Sequence, residues 1–337
     1  MKTVFLLGYY GQGNVGDDAI LSAFFKTVSA SDTAFSTLPS GRHENPVLRF
    51  FRVARRIRKA DGLWLVGGNL LQNETSNRSL CFYLSALCTA RLFKKPQTVF
   101  GGVGEITGNC WQRLTGLCLS RADGLYLRSE EDRKTARNLC RKANVACPPV
   151  GYFPDMALFL PPVPKVAKEY GVLILKKRGN PVPHKKLIAL LIKTKKPLWL
   201  VGFSSEDEDY LRALGEETGL PVSMPKDEGA VFALFSRAAF AISERYHGGI
   251  FSLLSHTPCL LEVSSAKNHG LSAEVERAAL ITAASRPLFG FHIATLYQEN
   301  FSLALFAFFQ RKIGGISASD FEDIRREMKT RRAITPR

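Results

Sequence analysis

Thr3-Val4-Phe5-Leu6-Leu7-Gly8-Tyr9-Tyr10-Gly11-Gln12-Gly13-Asn14-Val15-Gly16-Asp17-Asp18-Ala19-Ile20 opens near the start of the chain with an apolar run, breaks into glycines, and restarts at helical period. It reads as strand, tight turn and helix, the first step of a parallel α/β unit. Glycine there tolerates positive φ and lets the backbone approach a ligand, while the helix start offers N–H groups to an anion or a sugar hydroxyl. Gly11-x-Gly13-x-x-Gly16 fits dinucleotide spacing, but it stands alone and no Walker lysine follows. Two readings of the carboxylates stay open: Asp17 or Asp18 caps the helix, or the pair supplies a base for a sugar hydroxyl.

The same alternation continues outward. Strands are expected at 3–8, 62–66, 97–101 and 123–127, each ending at glycine or polar residues, and again at 171–175, 198–202, 239–243 and 258–263. Helices are expected at 184–194, 206–218, 228–236 and 248–255. Prolines 148, 149, 154, 161, 162 and 164 cluster where periodicity fades. The expected organisation is therefore an N-terminal Rossmann-like domain over 1–163, a C-terminal one over 164–317, and a final helix and tail over 318–337 near the junction. This is an α/β, GT-B-like architecture of two Rossmann-like domains facing a central cleft, with ligands beyond the carboxyl ends of the strands.

Composition narrows the function. The 337 residues are 45% hydrophobic, enough for a sizeable core and against disorder, and 46 Lys plus Arg against 30 Asp plus Glu give a formal charge of +16, which favours an anionic partner or substrate. The apolar runs at 240–243 and 250–254 are separated by Glu244, Arg245 and His247, so no membrane span is expected. The first apolar run stops at Gly8 without a small-residue cleavage site, so no signal peptide is expected either. Seven cysteines, none in a C-x-x-C, favour reduced thiols over bridges or zinc, and a cytoplasmic place.

Two further motifs carry chemistry. Gly67-Gly68-Asn69-Leu70-Leu71-Gln72-Asn73-Glu74-Thr75-Ser76-Asn77-Arg78-Ser79 is dense in amides and hydroxyls, which suits sugar recognition; a solvated loop with Ser79 as helix N-cap is the alternative. Gly11, Asn14, Asn69, Gln72, Thr75, Ser76 and Arg78 are the candidate sugar contacts. Ser243-Glu244-Arg245-Tyr246-His247-Gly248-Gly249 carries Arg and His from a strand end into a helix start, where the dipole disfavours an imidazolium unless an anion binds beside it. Arg52, Arg55, Arg56 and Lys59 form a basic stripe beside Phe50, Phe51 and Ile57, either a solvated face or a surface for an anionic membrane. Nucleic acid is not expected, since no helix-turn-helix, RNA-recognition or zinc-finger pattern appears.

Together, G-Y-Y-G-x-G-N-x-G-D-D-A-I, G-G-N-L-L-Q-x-x-T-S-x-R-S-L and S-E-R-Y-H-x-x-I-F, in this order over most of 1–270, resemble the polysaccharide pyruvyl transferase family, especially its cell-wall branch. The resemblance implies a GT-B-like fold and transfer of pyruvate from phosphoenolpyruvate to a sugar as a ketal. It also implies donor-binding cations Arg128, Arg245, His247 and Lys267. Departures fall at Asn69, where the family has a third glycine, at Asp18, where it has Glu, at Glu105, where it has Pro, and at Ser265-Ala266, where it has Asp-Pro. On this reading Asp17 or Asp18 is the base and His247 the acid. No metal or cofactor is needed beyond phosphoenolpyruvate as co-substrate, and the acceptor is a lipid-linked glycan precursor met at the inner face of the cell membrane. A GT-B glycosyltransferase using a nucleotide sugar is the runner-up, and a non-catalytic anion binder the third reading.

Overall fold

Strands covered on both faces must be apolar along most of their length, and helices that cover them apolar along one stripe. The computed structural model describes residues 2–27, 33–38, 44–74, 76–153, 155–164, 166–193, 195–262, 268, 271, 286–288 and 291–296, and both rules hold there. The chain divides into two units, Met1–Leu160 and Pro161–Arg337. The final helix expected at 318–337 lies outside the described residues.

In the first unit the elements alternate as β1 (Lys2–Leu7), α1 (Val15–Thr27), β2 (Thr33–Ser36), α2 (Pro46–Lys59), β3 (Gly62–Leu71), α3 (Asn77–Leu92), β4 (Gln97–Val103), α4 (Asn109–Leu119), β5 (Gly124–Leu127), α5 (Glu130–Lys142) and β6 (Val150–Tyr152). The strands form one parallel sheet in the order β2-β1-β3-β4-β5-β6. Chain direction across the sheet reverses between β1 and β3, the switch point at which α/β sheets open a crevice. The core joins Phe5, Leu63, Leu65 and Leu125 of the strands to Val53, Ile57, Leu80, Leu87 and Leu119 of the helices.

One difference from the sequence expectation is instructive. β3 does not stop at Val66 but runs on through Gly67 and Gly68 to Leu71. Gly101, at φ +135°, approaches so closely that a Cβ there would lie 2.0 Å from the Gly67 carbonyl. Two bare backbones pack side by side, and the register of β3 against β4 shifts around Asn69. These glycines thus belong to a bulged strand pair rather than to a loop.

The second unit repeats the scheme with β7 (Tyr170–Ile174), α6 (Val182–Ile192), β8 (Leu198–Val201), α7 (Glu208–Thr218), β9 (Val222–Ser223), α8 (Glu228–Arg237), β10 (Ala238–Ser243), α9 (Tyr246–Leu254), β11 (Cys259–Glu262), β12 (Arg286–Leu288) and β13 (Phe291–Leu296). The order is β12-β13-β11-β10-β7-β8-β9. β7 to β11 are parallel, whereas β13 runs antiparallel to β11 and β12 antiparallel to β13. Here the direction reverses between β7 and β10. No described helix is long and apolar enough to cross a membrane.

Candidate active site

At the switch point of the second sheet, β10 ends in Ser243 and the chain turns into α9 within two residues. The Ser243 hydroxyl accepts from Arg245 N at 3.1 Å and donates to the Arg245 carbonyl at 2.8 Å, which fixes Arg245 as the N-cap residue of α9. Helix and strand meet so tightly that a Cβ on Gly248 would fall 2.1 Å from Ser243 Oγ. His247 follows in the first turn of α9 and is buried, its ring edge-on to Tyr246.

Behind this turn lies a buried polar network. Glu244 accepts from Lys176 N at 2.7 Å, from Arg178 Nε at 3.0 Å, and from Arg178 Nη2; its other contact is His184 Nε2 at 3.2 Å, whose Nδ1 faces the Tyr210 hydroxyl. Burial alone would raise the Glu244 carboxyl. The hydrogen bond and charge of His184, the Lys176 N–H and Arg178 outweigh it, and the group sits below the usual carboxylate range. Arg245 is oriented by Asp207, a buried residue just after β8: its Nε reaches Asp207 Oδ2 at 3.1 Å and its Nη2 the same oxygen, while Asp207 Oδ1 accepts from Lys177 N at 2.9 Å. The Nη1 edge of Arg245 has no protein hydrogen bond among the described residues. An arginine held by one carboxylate at the end of a parallel strand, beside a helix N-terminus, can receive an oxyanion.

The first unit holds its arginine differently. Arg128 follows β5, is 3% exposed, and donates from Nη1 to Asp155 Oδ2 at 3.0 Å and from Nη2 to Asn69 Oδ1; its Nε lies 3.6 Å from Asp132 Oδ2. Asp132 also accepts from Val103 N at 3.0 Å and from the Ser129 hydroxyl at 2.8 Å, while Ser129 caps α5 by accepting from Asp132 N. Burial raises the Asp132 carboxyl more than Arg128, Ser129 and Val103 lower it. Arg128 therefore ties the ends of β3, β4 and β5 together.

The glycine turn after β1 is similarly self-bonded. Gly11 N donates to Asp18 Oδ1 at 2.7 Å, Asn14 Nδ2 to Asp17 Oδ2 at 2.6 Å, and Gly16 N to Asn14 Oδ1 at 3.1 Å. Asp17 and Asp18 stand in the first turn of α1 at the first sheet's switch point. Tyr10 is buried beneath the turn, donates to the Val66 carbonyl, and has its phenol raised well above the ordinary value by burial. Beyond β3, Ser76 rather than Ser79 caps α3, accepting from Arg78 N at 3.0 Å, because the helix already begins at Asn77. Asn73 accepts from Thr107 N at 2.8 Å and fastens this loop to the one after β4. Gln72 lies against Gly104, and Arg78 is exposed.

Of the residues singled out in the sequence, Gly11, Asn14, Asp17, Asp18, Asn69, Gln72, Ser76, Arg78 and Arg128 belong to the first unit, and Arg245 and His247 to the second. Within the second unit Arg245 and His247 share one helix start. Lys267 and Thr75 lie outside the described residues. Sequence reasoning did not single out Arg178, His184, Asp207 or Tyr210. The run Lys176-Lys177-Arg178 directly behind the strand at 171–175 was the available signal for Arg178; Asp207 and His184 declare themselves only through partners 38 and 60 residues away.

A family model described as "Polysaccharide pyruvyl transferase" matches residues 14–262. No curated protein matches in sequence. Among solved structures, a UDP-GlcNAc 2-epimerase of Methanocaldococcus jannaschii is 12% identical with a TM-score of 0.52, over 82% of this chain and 87% of that one. That of Neisseria meningitidis, solved with UDP-GlcNAc, is 11% identical with a TM-score of 0.51, over 82% and 86%. That of Rickettsia bellii is 12% identical with a TM-score of 0.51, over 79% and 80%. At these identities the likeness shows the fold alone: α/β, of the GT-B kind, with two Rossmann-like units.

Proposed function

This chain belongs to the polysaccharide pyruvyl transferase family, and from that premise we propose that it moves the pyruvyl group of phosphoenolpyruvate onto two hydroxyls of one sugar in a lipid-linked cell-wall glycan precursor. The observation that carries the donor assignment is Arg245, aimed by Asp207 and placed with His247 at the N-terminus of α9. Phosphoenolpyruvate bears a carboxylate and a phosphate on adjacent atoms. Each charge-assisted hydrogen bond to such an anion contributes about 1.5–3 kcal/mol net, so Arg245, His247 and Lys267 suffice to hold it, with Arg128 added on the family's pattern.

The reaction balances without a redox partner. A sugar hydroxyl, its proton taken by Asp17 or Asp18, adds to C2, and His247 delivers a proton to the methylene carbon, which becomes the methyl group. The C2–O bond to phosphate then breaks, with the electron pair leaving on phosphate toward Arg245 and Lys267. A second hydroxyl of the same sugar adds to C2 and passes its proton to the released phosphate, closing the ketal, while the proton held by the aspartate returns to His247 through solvent. Gly11, Asn14, Asn69, Gln72, Thr75, Ser76 and Arg78 are the residues proposed to meet the acceptor. Incubation with phosphoenolpyruvate and acceptor glycan should release inorganic phosphate in step with ketal formation. Consumption of a nucleotide sugar instead, with no phosphate released from phosphoenolpyruvate, would refute the proposal.

A further inference from the structure

We propose that the outer face of α2, with the hollow between α2, α3 and α4, is a docking surface for an anionic lipid bilayer. α2 starts at Pro46 behind an Asn45 cap and turns Val53 and Ile57 into the core. At 100° per residue this leaves Val47, Leu48 and Phe51 facing out, and they are 61%, 61% and 63% exposed. Large apolar side chains on the outer face of a surface helix need a reason. They continue inward: the Phe51 ring lies 5.9 Å from that of Phe50, and Phe50 lines a hollow of about 310 Å³ with Leu84, Leu92 and Leu114, of which Leu92 is 77% exposed.

Charge selects the occupant. α2, α3 and α4 together contain no Asp or Glu. Arg55, Arg56, Arg58 and Lys59 continue the outer face of α2 toward its C-terminus, and no described carboxylate pairs with them. Of the rest, Arg52 is paired with Glu44, and Arg49 lies 4.8 Å over the Phe82 ring. Exposed apolar residues in the first turns, followed by unpaired cations on the same face, match a surface with negative headgroups above an acyl layer. An acidic protein would offset the cations but give Val47, Leu48 and Phe51 no such layer.

Co-sedimentation of the full chain with vesicles tests this without any glycan. Binding to vesicles containing about one third phosphatidylglycerol should exceed binding to phosphatidylcholine alone and fall as salt rises. Arg55→Gln with Arg58→Gln should lower partitioning about 30-fold, from two lost basic contacts. Leu48→Ser with Phe51→Ser should also weaken binding but leave the salt response intact. All four side chains are surface groups, and unchanged melting temperatures confirm that the variants fold. Equal binding to both vesicle types, or binding untouched by either double variant, would overturn the proposal. So would a wild-type dimer that Phe51→Ser dissociates, since the face would then meet a second copy. Because vesicle binding and phosphate release are read separately, this surface and the proposed reaction can fail independently.

Discussion

Arg128 and Arg245 each stand past the carboxyl end of a parallel strand and at the threshold of the next helix, Arg245 after β10 at the second sheet's switch point and Arg128 after β5, two strands beyond the one that borders the first sheet's. Arg128 is enclosed by two carboxylates and an amide, whereas Arg245 is held by Asp207 along one edge and keeps its side chain 24% exposed. Strand-end topology marks where a site can form. Burial and the number of carboxylates separate an arginine that is enclosed on every edge from one that keeps an open edge.

The contrast can be broken at several points. The largest effect belongs to the second-unit helix start: His247→Ala should lower turnover by about 10²–10⁴. Turnover within a few-fold of wild type would remove His247 as the acid. Arg128→Ala should cost about 3–5 kcal/mol in urea unfolding, because Asp155 and Asp132 would be left buried without their cation. If that variant instead kept its stability and only raised the KM for phosphoenolpyruvate, Arg128 would serve the donor alone and not the fold, and the contrast would vanish.

A subtler effect concerns Glu244. Its carboxyl lies below the ordinary value in the folded state, so its contribution to stability is present above the unfolded value and is lost as pH falls through the folded one. The melting temperature of wild type should exceed that of Glu244→Gln at about pH 7, and the gap should close toward about pH 3. A gap independent of pH would mean that packing, not the charge, is what Glu244 provides. Smallest, Ser76→Ala should cost about 1 kcal/mol as a lost helix cap. An acceptor KM unchanged in that variant would remove Ser76 from the proposed sugar contacts and leave it a cap alone.

Several inner strands were legible because they are short apolar or aromatic runs that end at glycine or polar residues; β1, β4 and β5 lie within a residue or two of the expected bounds. β2, β6 and β9 were not, since edge strands of four, three and two residues bury too little to leave a pattern. The extension of β3 through its glycines was hidden for another reason: two backbones in contact need no side chains, so nothing apolar records them. The site divides in the same way. Ser243, Arg245 and His247 could be read because a strand end, a cap and a helix start follow one another in sequence. Asp207, which aims Arg245, and the Glu244–His184–Tyr210 chain become visible only when β7, β8 and β10 lie side by side.

Isothermal titration of phosphoenolpyruvate into the wild-type chain and into Arg245→Ala tests the central claim most directly. Loss of one charge-assisted hydrogen bond predicts affinity weaker by about 10- to 150-fold in the variant. Equal affinity in the two proteins would place the donor anion elsewhere and contradict the account.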